Sequence, residues 1–315
     1  MIAKTKYAEA IPKQGGTWKK VYYYRQLYYF LIPAVLWYLI FKYMPMYGLT
    51  LGFKEFRFDK GIWGGDWVGL RYFTQFINEP MFWPLIRNTF TICLLKMAFT
   101  FPAPIILALM LNEVGNARFK KSIQTVSYLP HFVSWVVVVA LFNKFLTPYG
   151  GPVNDLLGKY FNMEPIYFMG NKKFFYPIVV ISQLWKECGW GSIIYLAAIA
   201  GIDPGLYEAA TIDGAGKWKS VLHVTLPSLL PTVGILFLLN VSSLVYASFD
   251  QMYLLRIPPV LDIAEVLDTY VVQSGINLGQ VSYATIIGLF QSITALVLVV
   301  LFNLTSKKIT GVSIW

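Results

Sequence analysis

Gly214-Ala215-Gly216-Lys217 is the stretch of this chain closest in type to a phosphate-binding loop, and the comparison fails on spacing. Such a loop needs a glycine where Thr211 stands and a Ser or Thr directly after the lysine, where Trp218 stands. His131 and His223 lie apart from any Cys or carboxylate cluster of metal-ligand spacing, and neither a nucleophile elbow nor an HExxH pattern occurs. The two cysteines, Cys93 and Cys188, both fall inside apolar segments, so buried free thiols are expected rather than a disulfide or metal framework. The expectation is a non-enzyme without a metal of its own.

What polar chemistry remains is set in apolar surroundings, where ionisable groups are costly and become functional candidates by default. Gln183, Lys186 and Glu187 share one helical face by three-and-four spacing and could line a polar path. Asn240, Ser243 and Ala247 form a second such face, with Tyr246 beside it. An aromatic ring next to amide and hydroxyl groups suits the apolar face and hydroxyl rim of a sugar. A plainer reading stays open: Lys186 pairs with Glu187, while Asn240 and Ser243 hydrogen-bond between helices. Lys42, Arg87, Lys96 and Lys144 lie nearer helix ends, where snorkelling of the ammonium or guanidinium explains most of them.

The elements that must position these groups are membrane helices. In 315 residues, 57% are hydrophobic and 13% charged, and the mean hydropathy of +0.55 is far too high for an ordinary soluble protein. Six segments suffice to cross a bilayer, at 28–50, 85–111, 123–147, 174–200, 228–249 and 281–305. The fold class expected is an all-α polytopic membrane protein with six transmembrane helices. Kinks are expected at Pro33, Pro45, Pro102, Pro104, Pro130, Pro231 and Gly234. The intervening stretches 51–84 and 148–173 look like short surface loops, too small for separate domains.

Charge distribution orients the bundle. Lys4, Lys6, Lys13, Lys19, Lys20 and Arg25 precede the first span, Arg118, Lys120 and Lys121 follow the second, Lys217 and Lys219 follow the fourth, and Lys307 and Lys308 follow the sixth. The bias toward basic residues on the inner side makes these loops and both tails cytoplasmic. The expected organisation is therefore a basic tail at 1–27, a membrane domain at 28–305 with a cytoplasmic loop at 201–227, and a C-terminal tail at 306–315. The polar N-terminus up to Arg25 gives no indication of a cleaved secretory signal.

That cytoplasmic loop carries Glu208, Ala209 and Ala210, then Gly214, Val224, Leu226 and Pro227. A short helix over 205–212 with small Ala209 and Ala210 permits close approach by a partner. Gly214 allows a turn that a side chain would hinder, and Pro227 is expected to punctuate the start of the next helix. The spacing resembles the EAA loop of the membrane subunits of binding-protein-dependent ABC importers, with Val224 where isoleucine is more usual. The resemblance extends from Trp67-Val68-Gly69-Leu70 and Arg87-Asn88-Thr89 to Phe249-Asp250-Gln251-Met252-Tyr253-Leu254 and Ser282-Tyr283-Ala284-Thr285. Over nearly its whole length the chain is similar to a maltose-type sugar permease of the type I ABC importers, in the polysaccharide and oligosaccharide branch.

The resemblance implies partners: a second homologous permease, two cytoplasmic ATPase subunits holding ATP and Mg, an external substrate-binding protein, and no nucleic acid. It implies that the Glu208 loop is the coupling surface. By position it also implies sugar contacts at Gln183, Lys186, Glu187, Asn240, Leu244 and Ala247. Lys186 and Glu187 depart from the small and apolar residues usual there, which points to a larger or acidic oligosaccharide. The rival class is an ion-coupled secondary transporter, with Lys186 and Glu187 carrying the ion linkage; it predicts an inverted internal repeat, and none is visible.

Overall fold

A computed structural model describes residues 22–241 and 246–310, and among them the chain is helical with isolated β-bridges at Lys54–Trp67 and Arg57–Gly61 and no longer strand. Helix α1 (Arg25–Phe53) is followed by the short α2 (Arg71–Asn78) and by α3 (Phe82–Asn112). Two arms, α4 (Ala117–Phe132) and α5 (Trp135–Leu146), meet at 104°. Next come α6 (Pro152–Phe161), the long α7 (Lys172–Ala200), and α8 (Pro204–Ile212) turned 71° from it. Helix α9 (Lys217–Val241) leads to a buried run of short helices, α10 (Phe249–Leu255), α11 (Leu261–Ala264) and α12 (Leu267–Val272), before the final α13 (Val281–Thr310).

Among the described residues four helices, α1, α3, α9 and α13, are long and apolar enough to cross a membrane, and up to six spans result if each bent pair counts as one. The expected segment 123–147 is corrected from one kinked helix to two arms. Pro130 removes a backbone donor, and Ser134 restarts the helix by capping Val137 N–H at 3.4 Å. The fifth segment, expected at 228–249, begins earlier, at Lys217, and is described as far as Val241, while 246–248 are non-helical. Pro227 therefore lies inside a continuous helix and does not start one. A π-turn over Val221–Thr225, closed by Leu226 N–H on Val221 O, adapts the helix just ahead of the proline.

The stretch 51–84 contributes to the core: Phe76 of α2 is fully buried against Phe82, Tyr283 and Phe290. The residues between α9 and α13 are also folded into the bundle, with Met252, Leu255, Val260, Ala264 and Val266 in one buried cluster with Ile92, Ile178 and Val179. Polar groups fasten this insertion. Gln251 donates to Val179 O and Ser182 Oγ, each at 2.8 Å, and Asn88 donates to Asp262 O and Glu265 O at 2.8 and 3.0 Å. Arg256 forks onto Glu265 at 2.7 and 2.9 Å. At the start of α7, Lys172 bonds Asp262 at 2.7 Å, and this hydrogen bond holds the Asp262 carboxyl below the usual carboxylate range.

Candidate functional site

Two features follow from this architecture: a protruding loop and a central cavity. Asp203 begins α8 by accepting from Gly205 N–H at 2.9 Å, with Pro204 at the first helical position where its missing donor is harmless. The helix ends where Gly214 takes φ 77°, a backbone region that suits glycine, and Ala215 N–H returns to Ala210 O at 2.9 Å. Tyr207 Oη meets Thr225 Oγ1 at 3.0 Å and ties α8 to the π-turn of α9. Glu208, Ala209, Gly214 and Pro227 are exposed, whereas Ala210, Val224 and Leu226 are half-buried. Ala209, Ala210 and Val224 help line a hollow of about 510 Å³ between α8 and α9. Ile212 and Trp218 stand 86% and 80% exposed on this loop, large apolar groups left uncovered among the described residues.

The cavity, about 350 Å³, lies between α3, α7 and α9 and is closed on one side by Tyr246 and Ser248. Gln183, Glu187 and Asn240 line it together with Lys96, Thr100, Trp190 and Tyr195. The Gln183 side-chain oxygen is buried and has no hydrogen-bond partner among the described residues. Asn240 donates to Leu236 O at 2.8 Å, and Tyr246 Oη lies 3.5 Å from Ser292 Oγ. Glu187 is held by His131 Nδ1 at 2.8 Å, and the His131 ring stacks on Trp190 at 4.5 Å with 2° between planes. Amide, hydroxyl and aromatic groups thus surround a space within the size range of small-molecule sites.

Several expected positions are corrected. Lys186 does not line the cavity: its ammonium is buried and donates to His131 O at 2.6 Å and Val133 O at 2.7 Å, across the break between α4 and α5. It lies 3.8 Å from Glu187, whose nearer partner is His131. Ala247 and Tyr246 are not on the Asn240 helix face, because the described helix ends at Val241 and 246–248 are non-helical. Ala247 is fully buried with its N–H on Asp268 Oδ2 at 3.0 Å. Ser243 and Leu244 lie outside the described residues.

The residue missed by the sequence reading is Lys96. It does not snorkel: it sits near the middle of α3, 9% exposed, in the cavity wall, with its ammonium on Ala247 O at 2.8 Å. Its distance from both ends of the apolar run was the available signal.

Residues 100–310 match the family model described as binding-protein-dependent transport system inner membrane component. The chain is 42% identical over 284 residues to the polygalacturonan/rhamnogalacturonan transport system permease protein YteP of Bacillus subtilis, covering 90% of this chain and 88% of that protein. It is 43% identical over 282 residues to protein LplB of the same organism, with the same coverage of 90% and 88%. Among solved structures, a bacterial ABC transporter involved in import of the acidic polysaccharide alginate superposes with a TM-score of 0.86 at 38% identity, covering 93% of this chain and 99% of that one. The chain belongs to the binding-protein-dependent transport system inner membrane component family, as a sugar-permease subunit of the type I ABC importers.

Proposed function

We propose that this protein is one membrane half of an ATP-driven importer that moves acidic, polysaccharide-derived oligosaccharides handed over by an external binding protein. The carrying observation is the pairing of a protruding α8, with Glu208 exposed and Gly214 in a glycine turn, with a polar cavity reached by the same helix pair α7 and α9. A large apolar side chain left bare on a polar loop marks a protein contact, and Ile212 and Trp218 fit that description. A related alginate transporter was solved with its alginate pentasaccharide-bound periplasmic protein, which supports the same delivery here. A second permease completes the pathway, and ATP with Mg is bound by two partner ATPase subunits.

In this reading Glu208, Ala209, Ala210, Gly214, Val224, Leu226 and Pro227 shape the surface that each ATPase grips. Closing of the ATPases draws two such loops together, and the broken helices rock between inward- and outward-open forms around the cavity. Both termini and the 201–227 loop lie in the cytoplasm. Purification from the native membrane should yield this chain with a second permease and an ATPase, and proteoliposomes of the complex should take up a uronic-acid oligosaccharide when ATP and the binding protein are supplied. Uptake driven by an ion gradient without ATP would overturn the proposal.

A further inference from the structure

Two lysines are buried in the middle of this bundle, and their surroundings differ in kind. Lys186 is answered on both sides by backbone carbonyls and stays out of the cavity. Lys96 lines the cavity, and among the described residues a single acceptor, Ala247 O at 2.8 Å, engages its ammonium. An ammonium carries three N–H donors. Among the described residues two of them find no acceptor and are available to whatever occupies the space. Holding such a charge at mid-helix is costly, so a residue of this kind in a cavity wall calls for an anionic partner.

Among the described residues no carboxylate bonds the Lys96 ammonium directly. Glu187 shares the cavity but is bound by His131 at 2.8 Å with Lys186 at 3.8 Å, so its charge is answered within the wall. Asp268 lies behind the wall, near enough for its charge to act on Lys96 but not in contact with it, since one oxygen accepts from Ala247 N–H and the other from Gln291 Nε2 at 2.6 Å. Lys96 and Asp268 therefore grip opposite ends of the 247 backbone, and the cationic end faces the cavity.

From this arrangement we infer that Lys96 is the specificity-determining residue that binds a carboxylate of the oligosaccharide inside the membrane, an inference that rests on the proposed import of acidic sugars. The Gln183 amide, with its oxygen unpartnered among the described residues, is placed to accept from a neighbouring sugar hydroxyl. Selection by charge then occurs within this subunit as well as in the external binding protein.

The test uses the whole complex in proteoliposomes, with its binding protein and a short homopolymer of a uronic acid as probe. Lys96→Arg keeps the charge, Lys96→Gln keeps a donor for the Ala247 carbonyl without charge, and Lys96→Met keeps neither. The expected result is uptake within about twofold of wild type for Lys96→Arg and lower by about tenfold or more for both Lys96→Gln and Lys96→Met, in line with the loss of a charge-assisted hydrogen bond. Near-normal uptake by Lys96→Gln would overturn the inference, because holding Ala247 would then suffice. Equal loss in all three variants would overturn it too, as shape rather than charge would matter. Failure of the wild-type complex to take up the probe at all would instead strike the proposed function, and the inference with it.

Discussion

Lys186 and His131 hold each other in a reciprocal arrangement: the lysine ammonium donates to the His131 carbonyl at 2.6 Å, and the His131 ring bonds Glu187, the residue beside that lysine, at 2.8 Å. The break between α4 and α5 strands carbonyls that a continuous helix would satisfy, and a buried unsatisfied acceptor is expensive. Lys186 takes two of them, those of His131 and Val133. The 104° bend and the lysine are thus parts of one device.

Replacing Lys186 with Met should therefore weaken the fold by about 1–3 kcal/mol, the cost of orphaning buried acceptors. Thermal unfolding of the detergent-solubilised complex measures it, and uptake of acidic and neutral oligosaccharides should fall in parallel. A variant of normal thermal stability that loses only acidic substrates would contradict this role.

A tight α4–α7 contact near the same break depends on Gly189 of α7, where any Cβ would run into the backbone carbonyl of Ser127 on α4. Backbone cannot retreat as a side-chain tip can, so Gly189→Ala should cost about 1–3 kcal/mol as overpacking. Gly191, whose added Cβ would meet only the Pro104 ring at 3.0 Å, should tolerate alanine better. Comparison of monodisperse yield and unfolding temperature for the two variants checks the ordering, and equal behaviour would argue against a rigid α4–α7 contact.

Coupling should fail when the α8 surface is altered without disturbing the bundle. Glu208→Lys reverses an exposed charge, while Gly214→Asp places a side chain at φ 77°, a strained position costing on the order of 1 kcal/mol locally. Both variants should insert and co-purify with the second permease yet lose substrate-stimulated ATP hydrolysis. Stimulation near the wild-type level in both would remove the loop from the coupling role.

The loop was legible in the sequence because its geometry is local: small residues, a glycine at the left-handed position and a capped short helix need no distant partner. The long apolar helices were legible for the same reason, through composition alone. What sequence did not reveal depends on contacts from afar. The apolar run continues to Tyr246, so nothing local announces that 246–248 are non-helical; that wall is held by Lys96, 151 residues earlier than Ala247, and by Asp268. Pro130 announced a break, but its angle is fixed in company with Lys186, 55 residues on from His131. The mid-membrane lysines illustrate the limit well, since spacing placed Lys186 in the path and Lys96 at the edge, and packing reversed them.

Orientation in the membrane gives the last prediction. By the bias of basic residues toward the inner side, Lys217 and Lys219 are expected to put the α8–α9 loop in the cytoplasm, and Asn162, at the end of α6 with φ 51°, is expected on the opposite side. Both Lys217 and Asn162 are exposed, so a cysteine at either can be reached from its own compartment. In a background with Cys93 and Cys188 replaced by alanine, Asn162→Cys should react with a membrane-impermeant thiol reagent in intact cells once any outer barrier is opened. Lys217→Cys should react only after the cytoplasmic membrane is permeabilised. Labelling in the reverse order would place the Glu208 loop outside the cell, away from any source of ATP, and coupling through α8 would have to be abandoned.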